Sequence, residues 1–294
     1  MMNGIYLSRR ELVLGAGAAL ICGAALARRS AAASEVAAIE RQLGGRVGIA
    51  ALDTGNGRRF SHRGGERFAM CSTFKWILAA MVLHQSDRGQ MSLDRSISFG
   101  AADLLPYAPV SRAHVSEGHL TVSELCSAAV EFSDNTAANL LLGLIGGPPG
   151  LTAYLRDLGD AVIRLDRNEP DLNDNLPGGI RDTATPEAMI GIMRKILIAD
   201  ALSPASRSLL VDWMKNCKTG LGRLRAGMPQ DWPVGDKTGT GDNGAVNDVA
   251  IIWPPDRAPI LVAAFMSGSP ASEEAHNAAH AKLGRIVAAA FAQG

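Results

Sequence analysis

The sequence has almost no net charge, few cysteines, few aromatic residues and, outside its N-terminus, no long apolar run. Its 29 Lys+Arg balance 29 Asp+Glu, so it lacks the basic footprint of a nucleic-acid binder or of a protein drawn to an acidic membrane surface. No apolar stretch after the N-terminus is long enough to span a bilayer. Four cysteines in 294 residues are too few for a disulfide scaffold, and their spacings match no zinc or redox pattern. Trp76, Trp213, Trp232 and Trp253 are spaced like packing residues rather than as a stacking platform. Internal repeats and low-complexity linkers are also missing. What is present is a chain 47% hydrophobic and long enough to bury most of its unfolded surface, as a soluble globular protein would.

The N-terminus stands apart. Ser8-Arg9-Arg10-Glu11 precedes an apolar stretch from Leu12 to Leu26, and the small-residue run Ala31-Ala32-Ala33 follows Arg28-Arg29-Ser30. A positive start, a short apolar middle and an Ala-x-Ala end read as an export signal; the paired arginines resemble the twin-arginine type, the alternative being a general-secretion signal that happens to carry two arginines. A lipid anchor on Cys22 is not expected, because bulky Leu20 and Ile21 precede it. Cleavage after Ala33 removes four arginines and one glutamate, leaving 25 basic and 28 acidic residues. The expectation is a mildly acidic protein of the periplasm or the medium, with no membrane attachment after cleavage and no second subunit. Three cysteines remain, Cys71, Cys126 and Cys217, so at least one thiol is free.

Strand-like runs lie at both ends. Arg46 to Asp53 and Arg58 to His62 flank Thr54-Gly-Asn-Gly and read as a hairpin. Trp232–Thr240, Ala245–Trp253 and Pro259–Ser267 read as three more strands, with a turn at Pro254-Pro255-Asp256-Arg257. A last helix is expected over Ser272–Ala292. Between them, Ser72–Ser86, Thr121–Glu131, Asn135–Ile145, Thr152–Leu158, Thr185–Leu197 and Ser203–Lys215 carry helical spacing, several opened by Ser, Thr or Asn as caps. This order predicts an α+β fold: an antiparallel sheet built from both chain ends and flanked by helices, with an inserted all-helical lobe. The expected division is 1–33 signal, 34–68 with 216–294 α/β, and 69–215 helical.

Four short motifs carry chemistry. Ser72-Thr73-Phe74-Lys75 places a hydroxyl in the expected first turn of a helix, where free N–H groups favour a developing anion, and an amine one turn away. A serine is a weak nucleophile until a neighbouring base takes its proton, and a lysine of lowered pKa can do so. Alone, this pattern also fits a capping serine beside a solvated lysine. Ser133-Asp134-Asn135 alone fits a helix cap, and Lys237-Thr238-Gly239 a glycine-interrupted edge strand. Arg164 to Asp182, which includes Glu169-Pro-Asp-Leu-Asn173, lacks periodicity and reads as a long ordered surface loop of the kind that carries function. His276 and His280 have the i, i+4 spacing of a metal pair, but no acidic third ligand stands near. An exposed Ala-rich helix accounts for them, and neither a metal nor a cofactor is expected. Gly143 to Gly150 lacks the Lys and Ser/Thr of a phosphate loop.

Taken together and in this order, Ser-x-x-Lys, Ser-Asp-Asn, Glu-Pro-x-Leu-Asn and Lys-Thr-Gly make the chain resemble the class A serine β-lactamases over essentially its whole mature length. The resemblance implies hydrolysis of the β-lactam amide of penicillins and cephalosporins through an acyl-enzyme on Ser72, and so antibiotic resistance. It implies that Lys75 helps activate Ser72, with Lys75 or Glu169 through a water as acylation base. Ser133 passes a proton to the ring nitrogen, and Glu169 is the base for the deacylating water that Asn173 helps hold. The backbone N–H groups of Ser72 and Thr240 form the oxyanion hole. Lys237, Thr238 and Thr240, with Arg223 as an additional partner, take the substrate carboxylate. Asn135 takes the acylamino carbonyl, Tyr107 lines the pocket mouth, and Arg167 with Asp182 closes the base of the Glu169 loop.

Two departures are visible. Cys126 has Ala79 where the family's lobe disulfide would place a partner, and Cys71 has Gly241 opposite it, so the bridge associated with carbapenem hydrolysis cannot form. The nearest rival, a penicillin-binding D,D-peptidase, lacks the Glu-Pro-x-Leu-Asn loop; a β-lactam sensor domain would be tethered to transmembrane helices.

Overall fold

In the computed structural model, which describes residues 32–292, strands from the two ends of the chain meet in one sheet. Strand β1 (Arg46–Asp53) pairs on one side with β2 (Arg59–His62) and on the other with β9 (Ile260–Ser267). Beyond β9 lie β8 (Ala245–Ile252) and β7 (Val234–Gly241), giving the order β2-β1-β9-β8-β7, antiparallel throughout. The paired arginines at 9 and 10, Cys22 and most of the expected signal lie outside the described residues. The cleavage point expected after Ala33 falls at the start of helix α1 (residues 32–43), which the sequence reading did not register.

The sheet is covered on both faces, which explains why its central strands are apolar runs rather than alternating ones. Alternate residues still divide cleanly. Val47, Ile49, Val262, Ala264 and Met266 face α1 and α9 (Glu273–Phe291), meeting Val36, Ile39, Leu283 and Val287. Ala50, Leu52, Val249, Leu261, Ala263 and Phe265 face the helical side. There α2 (Phe74–Asp87) is buried on every side from Phe74 to Leu83, as befits a stretch that is apolar all round save for Lys75. Around it stand α4 (Val122–Glu131), α5 (Asn135–Leu144), α6 (Gly147–Asp157), α7 (Pro186–Met193) and α8 (Pro204–Lys215).

The expected caps hold for Thr121, Thr185, Ser203 and Ser272, each accepting the N–H three residues on. Asn135 is not a cap; Asp134 fills that position and α5 begins after it. Helix α6 begins at Gly147 rather than Thr152, since Pro148 and Pro149 occupy the first turn, where their missing N–H groups cost nothing. The helix expected to run to Leu197 ends at Met193 and continues as a π turn over Arg194–Ile198. The middle segment also holds α3 (Pro109–Ala113) and strands too short to show periodicity: β3 (Phe68–Ala69) pairs with β6 (Thr183–Ala184), and β4 (Ser96–Ser98) with β5 (His119–Thr121). His276 and His280 are buried against the sheet, not exposed as the sequence suggested. His280 Nε2 lies 3.1 Å from the Val246 carbonyl, and no metal-binding cluster occurs among the described residues. Their helix is amphipathic, and its inner face carries them.

Candidate active site

Ser72 does not sit in the first turn of α2. It occupies a 3-10 turn, Cys71–Thr73, that leads into the helix from Met70. Cys71 takes a left-handed φ of 47°, which swings the chain from β3 onto the face of β7. Gly239 makes that approach possible: a Cβ there would lie 2.6 Å from the Met70 carbonyl oxygen and 3.1 Å from the Thr73 nitrogen. The Lys-Thr-Gly strand and the Ser-x-x-Lys turn are thereby pressed together. Asn247 on β8 fixes the same turn, its amide donating to the Ala69 and Met70 carbonyls.

Lys75, one turn further, is fully buried. Its Nζ donates to the Ser133 carbonyl (2.8 Å) and to Asn135 Oδ1 (2.5 Å), and pairs with Glu169 Oε1 at 2.9 Å. Burial lowers its pKa from the ordinary lysine value, and the Glu169 carboxylate works against that shift. Ser133 has a left-handed φ of 60°, and Lys237 Nζ donates to its hydroxyl at 3.0 Å. Lys237 is also fully buried, and burial pulls its pKa down to about 8. Asp134 stays out of the chemistry. Its carboxylate caps α5 through Ala137 N–H and clamps α3 through the Val110 and Ser111 amides and the Ser111 hydroxyl.

Glu169 enters from the loop between α6 and β6. Ser72 Oγ donates to its Oε1 at 3.1 Å, and Asn173 Nδ2 donates to its Oε2 at 2.6 Å. Asn173 Oδ1 is buried and accepts no hydrogen bond from the described residues. Asn139 on α5 holds the Glu169 backbone from both sides, accepting from its N–H (3.0 Å) and donating to its carbonyl (2.8 Å). The Glu169–Pro170 peptide is cis. At the loop's base Arg167 Nε donates to Asp182 Oδ2 at 2.6 Å, the pair expected from the sequence. Arg167 also forks onto Asp174, and Asp182 Oδ1 caps the N–H groups of Asp166 and Arg167.

On β7, Thr240 Oγ1 accepts from Arg223 Nη2 at 2.7 Å. Arg223 is buried, and its remaining donors hold the Gly239 and Asn247 carbonyls and Asn277 Oδ1. Thr238 Oγ1 is hydrogen-bonded to Thr219 Oγ1. Tyr107 accepts the Asn135 N–H through its carbonyl and leaves its ring half exposed. Ser72, Lys75, Ser133, Asn135, Glu169, Asn173 and Lys237 thus form one connected constellation, while Arg223, Thr240 and Thr238 stand along the adjoining strand. Sequence reasoning missed Asn139, Asp174, Thr219 and Asn247. Each acts through a backbone group or another side chain, a role with no spacing signature.

Such a site presents a buried serine hydroxyl between a carboxylate and a lysine, a second hydroxyl on another buried lysine, and a strand of donors beside them. That is the equipment for acyl transfer to a serine followed by water attack. The β-lactamase enzyme family matches residues 31–291. The chain is 44% identical over 248 residues to β-lactamase OXY-2 of Klebsiella oxytoca, covering 84% of this chain and 85% of that protein. It is 46% identical over 248 residues to the carbapenem-hydrolyzing β-lactamase KPC of Klebsiella oxytoca, covering 84% of each. Among solved structures, an ancestral class A β-lactamase superposes with a TM-score of 0.87 at 55% identity, covering 88% of this chain and all of the other. A putative class A β-lactamase, PenP of Rhodopseudomonas palustris, gives 0.87 at 49% identity, over 89% of this chain and all of that one. With that likeness running from α1 to α9, the chain belongs to the class A serine β-lactamases.

Proposed function

We propose that the protein opens the β-lactam amide of penicillins and cephalosporins in two steps at Ser72. The observation that carries this is the position of Glu169, whose carboxylate touches Ser72 Oγ, Lys75 Nζ and Asn173 Nδ2 at once. In acylation Ser72 Oγ attacks the ring carbonyl and its proton passes to Lys75 or, through a water, to Glu169. The ring nitrogen leaves with a proton from Ser133, and Lys237 beside that hydroxyl favours its release. The N–H groups of Ser72 and Thr240 receive the oxyanion. Lys237, Thr238 and Thr240, with Arg223 behind Thr240, bind the substrate carboxylate; Asn135 binds the acylamino carbonyl, and Tyr107 walls the mouth. In deacylation Glu169 takes the proton of a water whose other contact is the unengaged Asn173 Oδ1. No metal or cofactor enters either step. Residues 69–215 form the helical lobe of this reading, and 34–68 with 216–294 the α/β part.

Glu169→Ala tests the division of labour. It should still acylate but release product ~10²–10⁴-fold more slowly, leaving a penicilloyl adduct on the Ser72 peptide by mass spectrometry. Wild-type turnover without an adduct would remove Glu169 from the role. We also propose export by the twin-arginine route to the periplasm or medium, with the mature protein acting as a monomer. Arg9→Lys with Arg10→Lys should hold the precursor in the cytoplasm on cell fractionation; normal export of that variant would point to the general secretory route.

A further inference from the structure

A cavity of about 520 Å³ lies against the Glu169 loop, and none of Ser72, Lys75, Ser133 and Glu169 lines it. Its walls are the outer half of the loop, from Asp174 to Arg181, and the ends of β1, β3 and β9. The volume is within the range of small-molecule sites. Four arginines line it, Arg46, Arg67, Arg167 and Arg181, against two carboxylates, Glu66 and Asp174. Both carboxylates are already engaged: Glu66 by Arg46 and Arg63, and Asp174 by Arg167. Arg67 donates to the Val162 carbonyl and the Thr183 hydroxyl. Arg181 is exposed; its charge acts on the Asp174 carboxylate from a distance, but it has neither a hydrogen bond nor a contact ion pair among the described residues. Beside it Leu176 and Ile180 expose more than half of their surfaces, and they line the same cavity. An unpaired guanidinium next to two bare aliphatic side chains is a mixed surface that neither an inorganic anion nor a neutral lipid would fill.

We propose that this cavity binds a small organic monoanion, a medium-chain carboxylate whose head meets Arg181 and whose apolar tail covers Leu176 and Ile180. The single charge follows from the wall, because Arg46, Arg67 and Arg167 are engaged and Arg181 is the one lining guanidinium without a hydrogen bond or ion pair among the described residues. The ring-opened product of a penicillin, which carries two carboxylates, fits this site less well. The site is built from residues that the acyl-transfer machinery does not use, apart from Arg167 and Asp174 in its wall.

Calorimetric titration with octanoate tests the proposal, with octanol, acetate and benzylpenicilloate as comparisons. Octanoate should saturate at one per chain, and the other three should bind more weakly. Arg181→Gln should raise the octanoate Kd by about tenfold, the loss of one charge-assisted hydrogen bond. Ile180→Ser should also weaken it, and both exposed substitutions should leave the melting temperature unchanged. Octanoate should not compete with benzylpenicillin for the enzyme. Absence of saturation, equal binding of octanol, tighter binding of benzylpenicilloate, indifference to Arg181→Gln, or simple competition with benzylpenicillin would each overturn the assignment.

Discussion

Two lysines with no exposed surface define the site at the scale of single residues, and they differ in their compensation. Lys75 has the Glu169 carboxylate at 2.9 Å, whereas Lys237 has a hydroxyl and a carbonyl as hydrogen-bond partners. Its pKa of about 8 therefore reflects burial without a contacting counter-ion. On the proposed reading, the substrate carboxylate supplies that counter-ion. Below that pKa the ammonium is present and attracts the carboxylate. As pH rises through it, the free enzyme loses the proton and the attraction. The pH profile of kcat/KM, which reports the free enzyme, should have an alkaline limb with a midpoint near 8 and a fall of about tenfold per pH unit beyond it. Lys237→Arg should move that limb upward. An unchanged limb in Lys237→Arg would place the titration elsewhere. Ser72, Lys75, Ser133 and Glu169 stood out in the sequence only when the four motifs were taken together, and their roles are those that the resemblance implies. Asn139 and Asn247 did not stand out, because a side chain that only holds a backbone can come from any nearby element.

At the scale of elements the decisive piece is the loop from Arg164 to Asp182, which has little regular structure and is held by side chains. Arg167 bridges Asp182 and Asp174 across the loop, and Asn175 and Asn243 exchange amide donors with backbone carbonyls between the loop and the β7–β8 turn. Arg167→Ser should remove the bridge and loosen Glu169. Misplacement of a catalytic group by about an ångström can cost ~10²-fold, so penicillin kcat should fall roughly ten- to hundredfold. Bulkier cephalosporins should gain relative to small penicillins; a uniform loss across both classes in steady-state assays would mean that the loop keeps its shape without the bridge. The strands and most helices were readable from periodicity, since long elements repeat their pattern. Two-residue strands such as Phe68–Ala69 repeat nothing, and Cys71-Ser72-Thr73 carries no signal that separates a 3-10 turn from the helix after it. Helix α1 has Val36, Ile39 and Leu43 at helical spacing, but its start merges with the alanine run of the expected export signal.

At the scale of the whole molecule, the described residues are held by packing, with no disulfide among them. Cys71, Cys126 and Cys217 are all free and buried, and burial pushes each thiol's pKa up and away from reactivity. The melting temperature should not change under a mild reductant. A drop of several degrees in calorimetry would show a bridge between two of them. The free thiol of Cys71 also bears on Gly241, where an added Cβ would lie 2.7 Å from its sulfur and 2.6 Å from the Asn173 carbonyl oxygen. Any side chain there would press on the residue that steadies Glu169. The sheet has a further consequence, one of timing. Residues 46 and 267 are partners in its central pairing, so β1 has no neighbour but β2 until nearly the entire polypeptide has been made. A two-stranded ribbon of that kind is marginal by itself, and long-range closure is slow because loop entropy must be overcome first. A ribosome that has made every residue of the proposed machinery, from Ser72 to Thr240, still holds a chain without β8 and β9. Assembly of the active site must wait for two strands that contribute no reactive group to it.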